Sequence, residues 1–202
     1  MAAILSPGEQ IEGDDGRMTT GLTGQLLVAT PRLEHPTFRR TVILLLDHDE
    51  DGALGVVVNR PSEVDVDVVL PSWQPFVTTP GRLFQGGPVA TDSALGLVEV
   101  GIDGEEPLGV RRLYGTVGLV DLDTPPEVVA AELKGLRIFA GYAGWSAGQL
   151  ESEIAEGSWY VVPSLPADPF TAAPEGLWQA VLRRQGGDLA FVAAYPDDPM
   201  MN

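Results

Sequence analysis

Cysteine is absent from this 202-residue chain, which excludes disulfides, thiolate zinc sites, thiol nucleophiles and cysteine-ligated clusters. A reducing compartment is compatible with that absence. Lysine is almost missing too: of 12 basic side chains one, Lys134, is a lysine, and 29 acids bring the net charge to −17. Such a field repels phosphate backbones and anionic headgroups, so neither direct nucleic-acid binding nor a membrane partner is expected. Histidine occurs only as His35 and His48. His48 alone cannot make a metal site, and no metal or cofactor is expected.

Long hydrophobic runs are also lacking. The longest purely aliphatic stretch, Val42 to Leu46, is far short of the roughly 20 residues a membrane-crossing helix needs. Residues 1–20 carry acids, and no basic segment followed by an apolar one, so they do not read as a secretory leader. The expected location is the cytoplasm, with residues 1–20 a flexible acidic tail and 21–202 one domain.

What the chain does have is enough apolar residue, 44%, for one well-buried core. Gly24 to Thr30 reads as a strand stopped by Pro31. Thr41 to Leu46 and Ala53 to Asn59 are β-branched runs around DHDEDG, which predicts an antiparallel hairpin. Neither run alternates with polar residues, so both strands belong in mid-sheet. EVDVDVVL, after Pro61, reads as a short helix or an edge segment. Arg82–Gln85, Ala94–Val100, Tyr114–Leu122, Gly135–Tyr142, Ser158–Val162 and Leu189–Ala193 read as further strands. Helices are predicted from Thr124 to Lys134 and from Glu175 to Arg184. Several strands follow one another without a helix between them. The fold predicted is therefore α+β, a single domain with a mixed, largely antiparallel sheet and three to four helices.

The unusual chemistry is concentrated in Gly141 to Ile154, GYAGWSAGQLESEI. It reads as a strand turning through glycines into a helix, with Ser146 and Gln149 as a capping-box pair and Gly157 as the stop. Leu150 and Ile154 form the buried side, with Glu151, Glu153 and Glu156 directed away from it. Taken in order, GQLLVATP, DH with GALGVVVNRP, FQGGPV, GYAGWSAGQLESEIAEGSWY and DPF resemble the YqgE/AlgH family of bacterial proteins, over residues 24 to about 195. That resemblance implies one compact α+β domain in a bacterial cytoplasm and carries no assigned reaction. Some relatives bear a transcriptional-regulator label. The chain departs from the family pattern at His35, at the terminal MMN and through residues 62–82.

Three constellations bear on chemistry. Gly144 to Gly148, GWSAG, has the G-x-S-x-G spacing of a nucleophile elbow, but no histidine follows Ser146 to complete a triad. No catalytic residue is therefore assigned; Ser146 is read as a helix cap, with a serine hydrolase as the alternative function. DHDEDG imitates the start of a calcium loop, yet the bidentate acid due at its twelfth position falls on Val58, and an acidic hairpin turn fits better. Asn59-Arg60-Pro61 and Gln85-Gly86-Gly87-Pro88 end two strands. If they converge with His48 on Tyr142, Gly144, Trp145 and Gln149, they form a pocket with one cation and an aromatic wall, suited to a small anionic or planar metabolite. The function expected is non-enzymatic ligand binding or regulation, with a metabolite or a protein partner; a transcriptional regulator acting through partners is a further alternative.

Overall fold

The computed structural model describes residues 21–102 and 106–195; the predicted tail at 1–20 and the last residues lie outside them. Three strands open the fold: β1 (Gln25–Ala29), β2 (Val42–Asp49) and β3 (Gly52–Val57). β2 and β3 form the expected antiparallel hairpin, with Asp49 opposite Gly52. EVDVDVVL supplies both of its readings, an edge strand β4 (Pro61–Asp65) and a one-turn helix α1 (Val66–Val69). β5 (Arg82–Gln85), β6 (Val89–Val100), β7 (Val110–Tyr114) and β8 (Val117–Val120) follow, then helix α2 (Pro126–Val129) and the long strand β9 (Leu133–Ser146). Helix α3 (Gln149–Ala155), strand β10 (Trp159–Pro163) and helices α4 (Leu177–Gln185) and α5 (Gly187–Val192) complete the chain.

The strands lie in the order β10-β1-β2-β3-β9-β6-β8-β7. Only the β5–β9 pairing is parallel, with Phe84 beside Phe139, so the sheet is mixed and largely antiparallel, as predicted. β9 organises it. One edge of β9 pairs with β6 from Leu133 to Tyr142. Its other edge takes β5 at Phe139 and Ala140 and then β3 from Ala143 to Ser146.

The sheet is buried on both faces, which is why β2 shows no polar alternation. Val42, Leu44 and Leu46 point with Val56 and Val58 into one core, which Trp178, Val181 and Leu182 of α4 plug. Ile43, Leu45 and Val57 point the other way, to a second core with Trp145, Leu150 and Trp159. A third cluster, outside β6 and β8, is covered by Val66, Trp73 and Val129. Each fully buried Leu, Val or Ile contributes on the order of 1.5–3 kcal/mol through lost water contact.

Four local predictions are corrected. The helix at Thr124–Lys134 shrinks to α2 and a 3-10 turn at Ala130–Glu132, with Pro125 and not Thr124 at its N-cap. Pairing of Leu133 with Val100 draws the following residues into β9 and overrides the helical signals. The single strand at Tyr114–Leu122 is a hairpin, because Gly115 turns the chain at φ +51° between β7 and β8. Leu189–Ala193 is not a strand but lies mostly in helix α5, which packs Leu189 and Val192 against the first core. Short apolar runs of this kind do not distinguish helix from strand by periodicity. Finally, β9 runs through GYAGWS to Ser146, and Gly148 at φ +73° is the N-cap of α3.

Gln149 still reaches back to the Ser146 amide, at 3.1 Å, so half of the capping box forms. The stop at Gly157 is a Schellman motif: Gly157 N–H donates to Ile154 O at 3.0 Å and Ser158 N–H to Glu153 O at 2.9 Å. Glu153, predicted to point away, instead turns under the helix. Its Oε2 accepts Trp145 Nε1 at 2.9 Å and Trp159 Nε1 at 2.8 Å, while Oε1 accepts Gln149 Nε2 at 3.0 Å.

Candidate functional site

The segment following β3 helps to build a hollow lined by three arginines. Asn59 ties this segment to the start of β2: its Oδ1 accepts Val42 N–H at 2.8 Å and its Nδ2 donates to Arg40 O at 2.9 Å. Arg60 beside it donates from Nη1 to Thr37 O at 2.7 Å and from Nη2 to Arg39 O at 2.9 Å. Those bonds fix the loop that carries Arg39 and Arg40. Partial burial lowers the Arg60 pKa from its ordinary value, because desolvation disfavours the charged form.

Arg40 is held at φ +54°, in the left-handed region that side chains other than glycine occupy at a cost. Its guanidinium carbon lies 4.5 Å from the Trp178 ring centroid, a cation–π contact, and Nη2 donates to Tyr195 O. Trp178 is itself anchored through Nε1 to Ala29 O at 2.9 Å. Glu34, Pro36, Arg39, Arg40 and Arg60 surround a hollow of about 420 Å³, within the range of small-ligand pockets.

The Gln85-Gly86-Gly87 segment does fold back against this region. Gln85 N–H donates to Arg60 O at 2.9 Å, Val57 N–H to Gly86 O at 2.8 Å and Gly86 N–H to Ala140 O at 2.9 Å. The two glycines are demanded by that close approach. A Cβ on Gly86 would lie 2.2 Å from Gly141 O, and one on Gly87 would lie 2.2 Å from the Tyr142 carbonyl carbon. They bring backbone to backbone.

Trp145 belongs to a different hollow. With Asp47, Asp49, Asp51, Gly52, Ala53 and Leu54 it lines about 260 Å³ at the hairpin end of β3. Ala53 pairs with Trp145 there, while Arg60 follows the opposite end of the strand, about 20 Å away at ~3.3 Å per residue. Tyr142 packs toward the first core and Trp145 into the second, so they serve opposite faces of β9. Neither of these two hollows gathers the ten predicted ligand-binding residues. Arg60 lines the arginine hollow, Trp145 the acidic one, and His48, Asn59, Gln85, Gly86, Gly87, Tyr142, Gly144 and Gln149 line neither.

Ser146 is exposed, and its hydroxyl lies 3.2 Å from Gln149 Oε1. His48 is engaged elsewhere: Nε2 lies 2.7 Å from Glu151 Oε1 and Nδ1 accepts Leu22 N–H at 3.0 Å. Among the described residues, the side chain bonded to the Ser146 hydroxyl is Gln149, an amide that cannot act as its base. Among the described residues no group of three or more His, Cys, Asp or Glu is placed to hold a metal ion.

Sequence reasoning missed Glu34, Pro36, Arg39 and Arg40 as lining residues. The Arg39-Arg40 doublet immediately ahead of a buried strand was the available signal. It also missed Arg137, which is 1% exposed in mid-β9. Its Nη2 donates to Thr79 O and Thr171 O, each at 3.0 Å, and its guanidinium carbon sits 4.1 Å from the Phe84 ring centroid. Burial lowers its pKa to about 10, against the pull of Glu175.

The family model described as DUF179, AlgH-like, matches residues 26–190. The chain belongs to this AlgH-like family. A UPF0301 protein of Streptomyces coelicolor is 60% identical over 186 residues, covering 91% of this chain and 96% of that relative. One from Thermobifida fusca is 53% identical over 190 residues, covering 90% and 96%. Among solved structures, a crystal structure of a Corynebacterium diphtheriae protein aligns with TM-score 0.79 and 34% identity, covering 92% of this chain and 95% of that one. The solution structure of AlgH from Pseudomonas aeruginosa aligns with TM-score 0.66 and 30% identity, covering 92% and 100%. The two relatives and the AlgH structure bear the label UPF0301, which names no reaction. Among the described residues, no helix is long and apolar enough to cross a membrane.

Proposed function

We propose that this protein is a non-enzymatic, cytoplasmic binding or regulatory protein whose ligand is a small anion held in the hollow of Glu34, Pro36, Arg39, Arg40 and Arg60. One observation carries the reading: three of the few basic side chains in a chain of net charge −17 surround a single hollow of about 420 Å³. The bonds of Asn59 and Arg60 to the loop backbone hold that arrangement before any ligand arrives, which lowers the ordering cost of binding. The acidic remainder of the molecule disfavours a long polyanion, so the ligand is a phosphate- or carboxylate-bearing metabolite in preference to nucleic acid.

Binding is tested by thermal shift across phosphate, nucleotides and di- and tricarboxylates at constant ionic strength. A ligand at one hundred times its Kd stabilises the protein by about 2.7 kcal/mol. Arg39→Glu, which reverses an exposed charge at the hollow without touching the Asn59 and Arg60 bonds, should abolish the shift. If no compound raises Tm, or if Arg39→Glu responds like the wild type, the reading fails. A hydrolase acting through Ser146 receives no support from the geometry, and equal labelling of wild type and Ser146→Ala by a serine-directed phosphonate is the expected result.

A further inference from the structure

His48 occupies the end of β2, with its side chain 10% exposed. Its ring makes two contacts whose chemistry fixes the tautomer. A backbone amide can only donate, so Nδ1, which accepts Leu22 N–H at 3.0 Å, carries no proton. Nε2, 2.7 Å from Glu151 Oε1, then carries the proton and donates it to the carboxylate. The neutral ring thereby bridges the lead-in to β1 on one side and helix α3 on the other.

We propose that His48 is an acid-operated latch: a proton at Nδ1 removes the acceptor of the Leu22 amide and frees the lead-in to β1, while Nε2 keeps α3 tied through Glu151. Protonation sets an N–H against an N–H on a side chain that is only 10% exposed. The opening has a defined end. Leu22 O still accepts Gln25 N–H at 2.9 Å, Gly24 N–H donates to Leu45 O at 2.8 Å and Gly24 O accepts the Ser164 hydroxyl at 2.5 Å, so what is released is the amide side of Leu22, and the chain stays pinned from Gly24 onward. Leu22 packs against the second core beside Phe38 and Ile154, and its departure uncovers the edge of that core next to α3.

Among the described residues, the charged groups around the ring are acids. Glu151 faces it from α3, and backbone and His48 hydrogen bonds lower its pKa. Glu153 of the same helix is turned to the two indoles. Asp47 and Asp49 flank His48 on β2 and point to the opposite face, where with Asp51 they line the acidic hollow. β3 offers only Ala53 opposite the ring. The Leu22 amide is the one contact of the ring that a proton at Nδ1 cannot keep.

The test is amide exchange and ring nitrogen NMR on the full chain from pH 8 to pH 5. The neutral ring should show the Nε2–H tautomer, and the Leu22 protection factor, corrected for intrinsic exchange, should fall by about tenfold, as for a lost hydrogen bond, in step with His48 titration. His48→Asn leaves an oxygen near the Nδ1 position and cannot titrate, so its Leu22 protection should not vary with pH. Glu151→Gln keeps an acceptor without charge, and the Leu22 step should move to lower pH with the fold intact. An Nδ1–H tautomer, a Leu22 protection factor unchanged while His48 titrates, or a pH step persisting in His48→Asn would overturn the latch.

Discussion

Glu153 holds two indole N–H groups on one carboxylate oxygen, and both tryptophans are buried, Trp145 at 7% and Trp159 at 4% exposure. Removing the carboxylate strands two donors in a water-poor site. Glu153→Ala should therefore cost about 3 kcal/mol, and Glu153→Gln, which keeps one acceptor oxygen, about 1 kcal/mol. Urea unfolding followed by tryptophan fluorescence measures both, and equal losses would mean that packing, not hydrogen bonding, carries the effect. The role was only partly legible in the sequence. Glu153 is three residues beyond Leu150 and so shares its face of α3, but one of its partners lies in the strand before the helix and the other in the strand after it. No local pattern announces such a junction. Arg137 was hidden for a related reason, since a basic residue within LKGLRIFAGY reads as solvent-facing until the carbonyls of Thr79 and Thr171 are seen closing over it. The Ser146–Gln149 pairing, by contrast, is a matter of spacing three, and the sequence shows it directly.

At the scale of elements, α3 is fastened by side chains at both its faces, and one fastening depends on pH. The Glu151 pKa is lowered, first by a backbone hydrogen bond and then by His48. The unfolded chain, with its ordinary carboxylate value of 4.5, binds the proton before the folded one does, so stability from this group is present above that value and lost as pH falls through the folded one. Wild type should thus lose more Tm than Glu151→Gln between pH 5 and pH 3 in matched buffers, and parallel acid limbs would contradict the assignment. Elements were legible where their own residues decide them. β1, β2 and β3 could be read because every side chain has a core to enter on one face or the other. The end of the predicted helix at Lys134 could not, because β6 recruits Leu133 from a distance along the chain. The register of Gly86 and Gly87 between β3 and β9 is likewise set by a partner strand made much later.

For the molecule as a whole, the surplus of acid predicts self-repulsion in the folded state. Raising NaCl from 10 mM to 100 mM shortens the screening length from about 30 Å to about 10 Å, and Tm at pH 7 should rise by several degrees. A flat or falling Tm would mean that attractive pairs such as Arg184–Asp168, at 2.5 Å, outweigh the repulsion. The fold class was legible from strand succession. The arrangement of the hollows was not, since proximity to β9 says neither which end of β3 a residue reaches nor which face it serves. β9 also has a bearing on how the protein is made. It supplies the seam to which β3, β5 and β6 attach, yet it is synthesised after every one of them. A ribosome releasing this chain from its N-terminus therefore exposes the flank of the β2–β3 hairpin, and the apolar sides of β5 and β6, until residue 146 has cleared the exit tunnel. Over that interval the nascent protein depends on chaperones, or on speed of translation, to keep those unpaired margins from finding one another on neighbouring chains.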